Sequence, residues 1–285
     1  MNSMTVFTTL ITADQLAAWP ASSPLLLLDC SFELSDVAAG RRIHAAGHLP
    51  GAIYVHLDET LSAPKTGTNG RHPLPTREAF AASMGALGLV PGMQVVAYDN
   101  AGGMYAARLW WMLRWLGREA VAVLDGGVAA WTASGRALTA EASPVRPAPP
   151  LPLRAPLVTT VDYGTVRANL DGGERLLVDA RGADRFRGEN ETMDPVGGHI
   201  PGAVNRPFKD NLGPDGRFKP ATQLRAEYDA LRGGRPASQL VSQCGSGVTA
   251  CHNLLALELA GLPGAPLYPG SWSEWCAQPG APVAT

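Results

Sequence analysis

A cysteine in a glycine-rich segment, Cys244-Gly-Ser-Gly-Val-Thr249, is the residue best placed for covalent chemistry. The run Leu240–Gln243 before it predicts a buried strand, and residues 248–260 after it predict a helix. Its two glycines permit a tight loop with inward-pointing N–H groups, which binds anions and stabilises a thiolate. We therefore expect Cys244 to be a nucleophile rather than a small buried residue ending a strand. The backbone N–H groups expected to contact a bound anion are those of Gly245, Gly247, Val248 and Thr249.

The chain contains an internal repeat with a spacing of about 150 residues. Short motifs recur in the same order in both halves: Leu27–Asp29 as Leu177–Asp179, Gly47–Ala52 as Gly198–Ala203, and Leu124–Gly127 as Tyr268–Ser271. Aligned in this way, Asp99 is the counterpart of Cys244, and Phe218 is the counterpart of His72. Positions shared by the repeats are expected to be scaffold, and polar positions that differ are candidates for chemistry.

Alternating apolar runs and helical stretches predict two α/β domains, each with a mainly parallel sheet covered on both faces. Strands are expected at Leu25–Asp29, Ala52–Val55, Gln94–Tyr98 and Val121–Leu124, and helices at Thr12–Trp19, Thr76–Leu87 and Met104–Leu116. A segment rich in proline predicts an extended connector. We expect a first domain at residues 1–140, a linker at 141–157 and a catalytic domain at 158–285.

The repeat, the Gly-His-[Leu/Ile]-Pro-Gly-Ala segments and the cysteine loop resemble the two-domain rhodanese-like sulfurtransferases over nearly the whole chain. The resemblance implies two tandem rhodanese-like domains, of which the first is inactive and the second carries a persulfide on Cys244. The uncharged loop is similar to that of the mercaptopyruvate-using members, whereas members that use thiosulfate usually carry Arg and Lys there.

The resemblance also assigns site residues. It implies a proton relay of Asp58, His72 and Ser246, and a substrate-carboxylate contact at Arg185. A purely structural role remains open for each residue: Asp58 in ordering a turn, His72 as a buried histidine, Ser246 as a small residue that fits the loop, and Arg185 in a surface ion pair. Many mercaptopyruvate enzymes have a second arginine shortly before the second Gly-His-Ile-Pro-Gly segment. Residues 188–195 contain none, so half of the expected carboxylate clamp is missing.

Composition excludes several other classes of protein. A net charge of −2, from 23 basic and 25 acidic residues, does not indicate a basic surface that would bind nucleic acid or an anionic membrane. No apolar run approaches the ~20 residues of a membrane span. Four cysteines in 285 residues do not form a disulfide framework, and no metal-ligand spacing or dinucleotide motif is present. We expect a cytoplasmic protein with no metal or cofactor.

The sequence therefore predicts an enzyme that moves sulfur from 3-mercaptopyruvate to a thiol, cyanide or thioredoxin-like acceptor. The alternatives are a thiosulfate sulfurtransferase and a non-catalytic persulfide carrier or redox-sensing module. A cysteine phosphatase needs an arginine six positions after the nucleophile, and that position is Ala250.

Overall fold

The computed structural model describes residues 6–285, so the first five residues of the predicted first domain lie outside it. The chain forms two compact units. The first contains the residues up to Leu61, Pro75–Leu157 and Asp215–Arg217; the second contains Ser62–Leu74, Val158–Pro214 and Phe218–Thr285. Each unit thus includes a short segment from the other repeat. We call Ser62–Leu74 the first arm and Asp215–Arg217 the second arm.

The first unit is built on a five-stranded parallel sheet with the order β1-β5-β4-β2-β3. Its strands are β1 (Leu10–Ile11), β2 (Leu25–Asp29), β3 (Ala52–Tyr54), β4 (Gln94–Tyr98) and β5 (Val121–Leu124). Every residue of β4 and β5 is buried, which explains why the residues of these strands are apolar, with the exception of Gln94.

The second unit repeats this arrangement with a smaller sheet of three parallel strands in the order β7-β6-β8. They are β6 (Leu176–Asp179), β7 (Val204–Asn205) and β8 (Leu240–Gln243). Leu267 extends the sheet through single parallel bridges to Ser242 and Thr160, where the first unit has β5 and β1.

Helices of the first unit precede and follow its strands: α1 (Ala13–Ala17), α2 (Ala39–Ala46), α3 (Leu57–Thr60), α4 (Arg77–Ala86), α5 (Ala106–Trp115) and α6 (Gly127–Ala133). The second unit contains α7 (Tyr163–Gly172), α8 (Ala183–Phe186), α9 (Ala221–Arg232), α10 (Thr249–Leu259) and α11 (Ser271–Trp275). Thr12 and Thr76 cap α1 and α4 as predicted. The three helices expected in the first half each end one or more residues earlier than the sequence pattern suggests, because the flanking residues adopt turn geometry.

The proline-rich segment is not a free spacer. It belongs to the first unit, where Leu151 N–H donates to Ala81 and Arg154 N–H donates to Leu116. Leu151 is buried. A Cβ on Gly85 would lie 2.4 Å from the carbonyl oxygen of Pro149, so this close approach requires glycine in α4. The connector is therefore fixed by packing as well as by its prolines.

Residues 6–285 lack two features of other protein classes. No helix in this part of the chain has the length and apolarity to cross a membrane. The same residues contain no group of three or more His, Cys, Asp or Glu side chains placed to hold a metal ion.

Candidate active site

Cys244 lies where the sequence predicts it, directly after β8 and before α10, at the carboxyl end of the parallel sheet. The residue is buried. Its carbonyl accepts a hydrogen bond from Trp272 N–H at 3.0 Å, and Gly245 accepts one from Ser273 N–H at 2.9 Å. The cysteine loop is thus held in place by the first turn of α11.

The second glycine of the loop is required by its backbone. Gly247 has φ +77°, and a Cβ there would lie 2.4 Å from the carbonyl oxygen of Pro269. A residue with a side chain would be both strained and in collision. The glycine spacing that predicted a tight loop therefore has a direct structural cause.

Ser271 is a site residue that the sequence reasoning missed. Its Oγ accepts the N–H of Cys244 at 3.1 Å and donates to Tyr268 at 2.9 Å. It is the one non-glycine residue with a positive φ, +55°, in the described chain. Such a conformation costs of order 1–3 kcal/mol unless its surroundings fix it. Its counterpart is Gly127, so the difference between the repeats was a signal that could have identified it.

The structure brings three of the predicted residues together. Nδ1 of His72 lies 2.7 Å from Oγ of Ser246, and Ser246 N–H points to Sγ of Cys244 at 3.4 Å. His72 and Ser246 are both buried, which strengthens their hydrogen bond. His72 belongs to the first arm and thus to the second unit, although it comes from the first repeat. Ser246 therefore contacts the imidazole through its hydroxyl and the sulfur of Cys244 through its backbone N–H.

Asp58, the third predicted relay member, lies in α3 of the first unit. Its backbone N–H donates to Nδ1 of His56, which caps this short helix. The part of Asp58 in a relay with His72 stays a prediction.

Arg185, the predicted substrate contact, lies in α8 and forms ion pairs with two buried carboxylates. Its Nη2 lies 2.8 Å from Glu191 and 3.2 Å from Asp194. Both acids lie in the stretch of residues 188–195, where the sequence analysis noted only a missing arginine. Hydrogen bonds from Met193 N–H and Arg185 outweigh burial and lower the pKa of Glu191. Burial raises the pKa of Asp194 against the attraction of nearby arginines.

Arg71 is a second arginine at this place, and the sequence analysis did not single it out. Its Nη1 forms an ion pair with Asp194, and its backbone N–H donates to Oγ of Ser273 at 2.9 Å. No local pattern marks Arg71, because its partners lie more than 100 residues away along the chain.

The remaining thiols have environments that favour the protonated form or packing. Burial raises the pKa of Cys30 well above its usual value, and nearby Asp99 and Asp29 add to this. Burial also raises the pKa of Cys276 to about 11. Cys251 is buried and donates from Sγ to the carbonyl of Gly247. None of the four cysteines forms a disulfide, and of the four Cys244 alone sits in a glycine-rich loop at the end of a strand.

The equivalent loop of the first unit contains a carboxylate in place of the thiol. Asp99 is buried, and its two oxygens accept four backbone N–H groups at 2.8–2.9 Å, those of Ala101, Gly103, Tyr105 and Ala106. Burial raises the pKa of Asp99, and these four hydrogen bonds oppose that shift. The backbone of such a loop can therefore direct several donors to one anion.

Comparisons with known proteins give a consistent result. A family model described as "Rhodanese-like domain" matches residues 12–134 and again residues 162–278. A "Probable 3-mercaptopyruvate sulfurtransferase" from Pseudomonas aeruginosa is 51% identical over 278 residues, covering 97% of this chain and 98% of the relative. A "Putative thiosulfate sulfurtransferase" from Mycobacterium tuberculosis is 37% identical over 287 residues, covering 96% of each chain. The solved structure of 3-mercaptopyruvate sulfurtransferase from Leishmania major superposes with a TM-score of 0.82 at 30% identity, covering 94% of this chain and 74% of that chain.

Proposed function

Because the chain belongs to the family of rhodanese-like domains, we propose that it is a sulfurtransferase that moves sulfur from 3-mercaptopyruvate to a thiol or cyanide acceptor through a persulfide on Cys244. The two family matches confirm the resemblance and the fold class expected from the sequence. The observation that carries the proposal is the chain of close contacts from His72 through Ser246 to Cys244 within the second unit.

In the first half-reaction, the thiolate of Cys244 attacks the sulfur of 3-mercaptopyruvate. A sulfur–sulfur bond forms as the bond between that sulfur and C3 breaks, and the electron pair of the broken bond passes into the enolate of pyruvate. The proton from the Cys244 thiol passes through Ser246 to His72 and returns to C3, giving pyruvate. The products are a Cys244 persulfide and pyruvate, and no external oxidant is needed.

In the second half-reaction, a thiolate or cyanide ion attacks the outer sulfur of the persulfide. The sulfur–sulfur bond breaks, and its electron pair restores the Cys244 thiolate. The N–H groups of Gly245, Gly247, Val248 and Thr249 are proposed to hold the persulfide between the two steps. A covalent intermediate of this kind gives ping-pong kinetics.

Thiosulfate is the second candidate donor, and a specific observation favours it. The loop itself has no cationic side chain, but Arg71 and Arg185 lie against Gly245, where cations could also serve a dianion. In that reaction Cys244 takes the outer sulfur and sulfite leaves. The named relatives likewise include sulfurtransferases of both kinds.

Steady-state kinetics with both donors against cyanide test the choice. We expect kcat/KM to be at least ~10-fold higher for mercaptopyruvate, equivalent to ~1.4 kcal/mol of transition-state binding. Mass spectrometry after donor treatment should show an added sulfur atom on Cys244 in the wild type and none in Cys244→Ser. A preference for thiosulfate would reverse the substrate assignment, and an adduct on Cys30 or Cys251 would overturn the persulfide assignment.

A further inference from the structure

The first unit contains a cavity of about 310 Å³ between the turn that joins α5 to β5 and the proline-rich connector. Its walls include three small residues and two arginines, namely Gly92, Gly117, Ala120, Arg118 and Arg154. All of its lining residues belong to the first unit. Pockets for small molecules begin at about 300 Å³, so this cavity is large enough for a small ligand.

Arg118 lies in the turn and has a buried donor that is not used. Its backbone N–H donates to Leu113 at 3.1 Å, and its Nη2 donates to the carbonyl of Met93 at 3.1 Å. Its Nε is buried and has no hydrogen-bond partner among residues 6–285. A buried donor without an acceptor is costly, so a bound group that accepts from Arg118 would stabilise the folded protein.

Arg154 is brought to the cavity by close packing of the connector. Its N–H donates to Leu116 at 3.2 Å, and its carbonyl accepts a hydrogen bond from Nη2 of Arg77. Gly117 has φ +84°, and a Cβ there would lie 2.6 Å from both Cβ of Arg154 and the carbonyl oxygen of Ala155. Only glycine lets the connector lie this close, so the backbone that carries the Arg154 side chain is fixed in position.

The two guanidinium groups lie near each other, and no carboxylate balances them. Burial lowers the pKa of Arg118, and the positive charge of Arg154 lowers it further. Neither arginine forms an ion pair with any residue from 6 to 285, including Glu119, an exposed residue that also lines the cavity. Arg118 is half-buried and Arg154 is exposed, so a ligand from solvent can reach both. Two neighbouring cations of this kind favour an anion with more than one negative charge.

We propose that this cavity binds the phosphate group of a small phosphomonoester, with Arg118 and Arg154 as its two cationic contacts. Such a group carries about 1.5–2 negative charges near pH 7, which match the two guanidinium groups. Guanidinium N–H groups also pair with phosphate oxygens two at a time. At ~30 Å³ per water molecule the cavity holds about ten waters, so the small residues of its walls leave room for the organic part of the ester. The site is separate from the proposed sulfur transfer and does not depend on it.

The test is calorimetric titration of the full-length protein with glycerol 3-phosphate and, separately, with inorganic phosphate, at constant ionic strength. Arg118→Gln and Arg154→Gln should each weaken binding of glycerol 3-phosphate at least ~10-fold, because each removes a charged hydrogen-bond donor. Arg146→Gln is the matched control, since Arg146 is an exposed arginine of the same connector that does not line the cavity. The control should bind within about 2-fold of the wild type.

Thermal unfolding separates a binding role from a structural one. Glycerol 3-phosphate should raise the melting temperature of the wild type and of Arg146→Gln, and should raise that of Arg154→Gln much less. Arg118→Lys keeps the charge and should recover part of the affinity, which keeps the test valid should Arg118→Gln fail to fold. Equal ligand-induced shifts in the wild type and Arg154→Gln would overturn the site.

Phosphate bound beside the Cys244 loop is distinguished by repeating the titrations in Arg185→Gln, because Arg185 lies against Gly245. Binding that persists in Arg185→Gln and is lost in Arg154→Gln supports the cavity, and the opposite result overturns it. An equal loss in Arg146→Gln would show attraction to positive charge alone, and a wild type that binds neither probe would also contradict the site. Inorganic phosphate that binds as tightly as glycerol 3-phosphate, or more tightly, overturns the assignment to a phosphomonoester.

Discussion

The loops that follow β4 and β8 are counterparts in the two repeats, but they differ in the side chain at the first position of the loop, Asp99 or Cys244. In the first unit, the Asp99 carboxylate accepts hydrogen bonds from four backbone N–H groups of its own loop. In the second unit, Cys244 stands in that position, and Ser246 N–H points to its sulfur at 3.4 Å. Because the Asp99 side chain already satisfies these donors, the first loop has a structural role and needs no bound anion. A thiol leaves the second loop able to receive an anion that arrives and departs with the reaction.

The comparison also extends to the arms. The first arm places His72 beside the Cys244 loop. The second arm ends at Arg217, whose Cγ lies 3.0 Å from the Cβ position of Gly126 in the first unit. The imidazole has Phe218 as its counterpart, and Phe218 packs against His252 in the second unit. The proposed chemistry of the second loop and its expected absence from the first therefore rest on a few side-chain differences between related backbones.

Replacing the thiol by its counterpart, Cys244→Asp, tests the comparison most severely. Sulfur transfer should fall at least ~10⁴-fold, because no nucleophile remains to carry the persulfide. The backbone N–H groups of the loop should stabilise the new carboxylate, so the melting temperature should be no lower than that of Cys244→Ser. Activity is measured with cyanide as acceptor. Cys276→Ser is the matched control and should retain full turnover.

The reverse exchange, Asp99→Cys, should act on stability and leave catalysis unchanged. It removes a charged acceptor from buried N–H groups, so the free energy of unfolding in urea should fall by about 2–4 kcal/mol. The turnover number should stay within about 2-fold of the wild type. Asn100→Ala, an exposed neighbour in the same loop, should change neither quantity. New persulfide on the introduced cysteine would show that the first loop lacks only a thiol, and the comparison would have to be revised.

His72→Phe introduces the side chain of its counterpart, Phe218. We expect kcat with mercaptopyruvate to fall about 100-fold, because the partner of Ser246 for proton transfer is lost. The pH profile of kcat should lose its dependence on an imidazole. A merely structural His72 would predict a lower melting temperature with an unchanged pH profile, and circular dichroism together with kinetics across pH distinguishes the two.

Ser246→Ala, which introduces the side chain of Ala101, should have the smallest effect. The backbone N–H to Cys244 remains, and only the hydroxyl that contacts His72 is removed, so we expect about a 10-fold loss in kcat, ~1.4 kcal/mol. Rapid-mixing measurements of pyruvate release should place the loss in the first half-reaction. An equal loss in the cyanide step would assign the hydroxyl to persulfide binding instead.

The sequence was most informative where structure depends on local pattern. Gln94–Tyr98, Val121–Leu124 and Leu240–Gln243 are strands with the predicted bounds, because a buried parallel strand is a short, mainly apolar run. The position of Cys244 between β8 and α10 was predicted on the same grounds. The helix ends were less accurate, since turn geometry at a terminus depends on neighbours that the pattern does not contain.

The site residues that were missed depend on contacts between distant parts of the chain. Arg71 meets Ser273 across 202 positions, and the loop of residues 188–195 was interpreted by what it lacks rather than by its two carboxylates. Ser271 was visible as a difference from Gly127, but its positive φ was not. The four hydrogen bonds to Asp99 likewise could not be predicted from the sequence, because their donors are backbone groups.

The first arm also sets the order in which a working site can arise during synthesis. Thr68 and Arg71 emerge from the ribosome long before Gln278 and Ser273, their partners 210 and 202 positions later. At about 5–20 residues per second, that interval lasts roughly 10–40 s. Throughout this interval the arm has none of these contacts. These two contacts can therefore form only when almost all of the sequence has been translated, whereas the partners of Arg71 and His72 at Asp194 and Ser246 are made earlier, 123 and 174 positions after them.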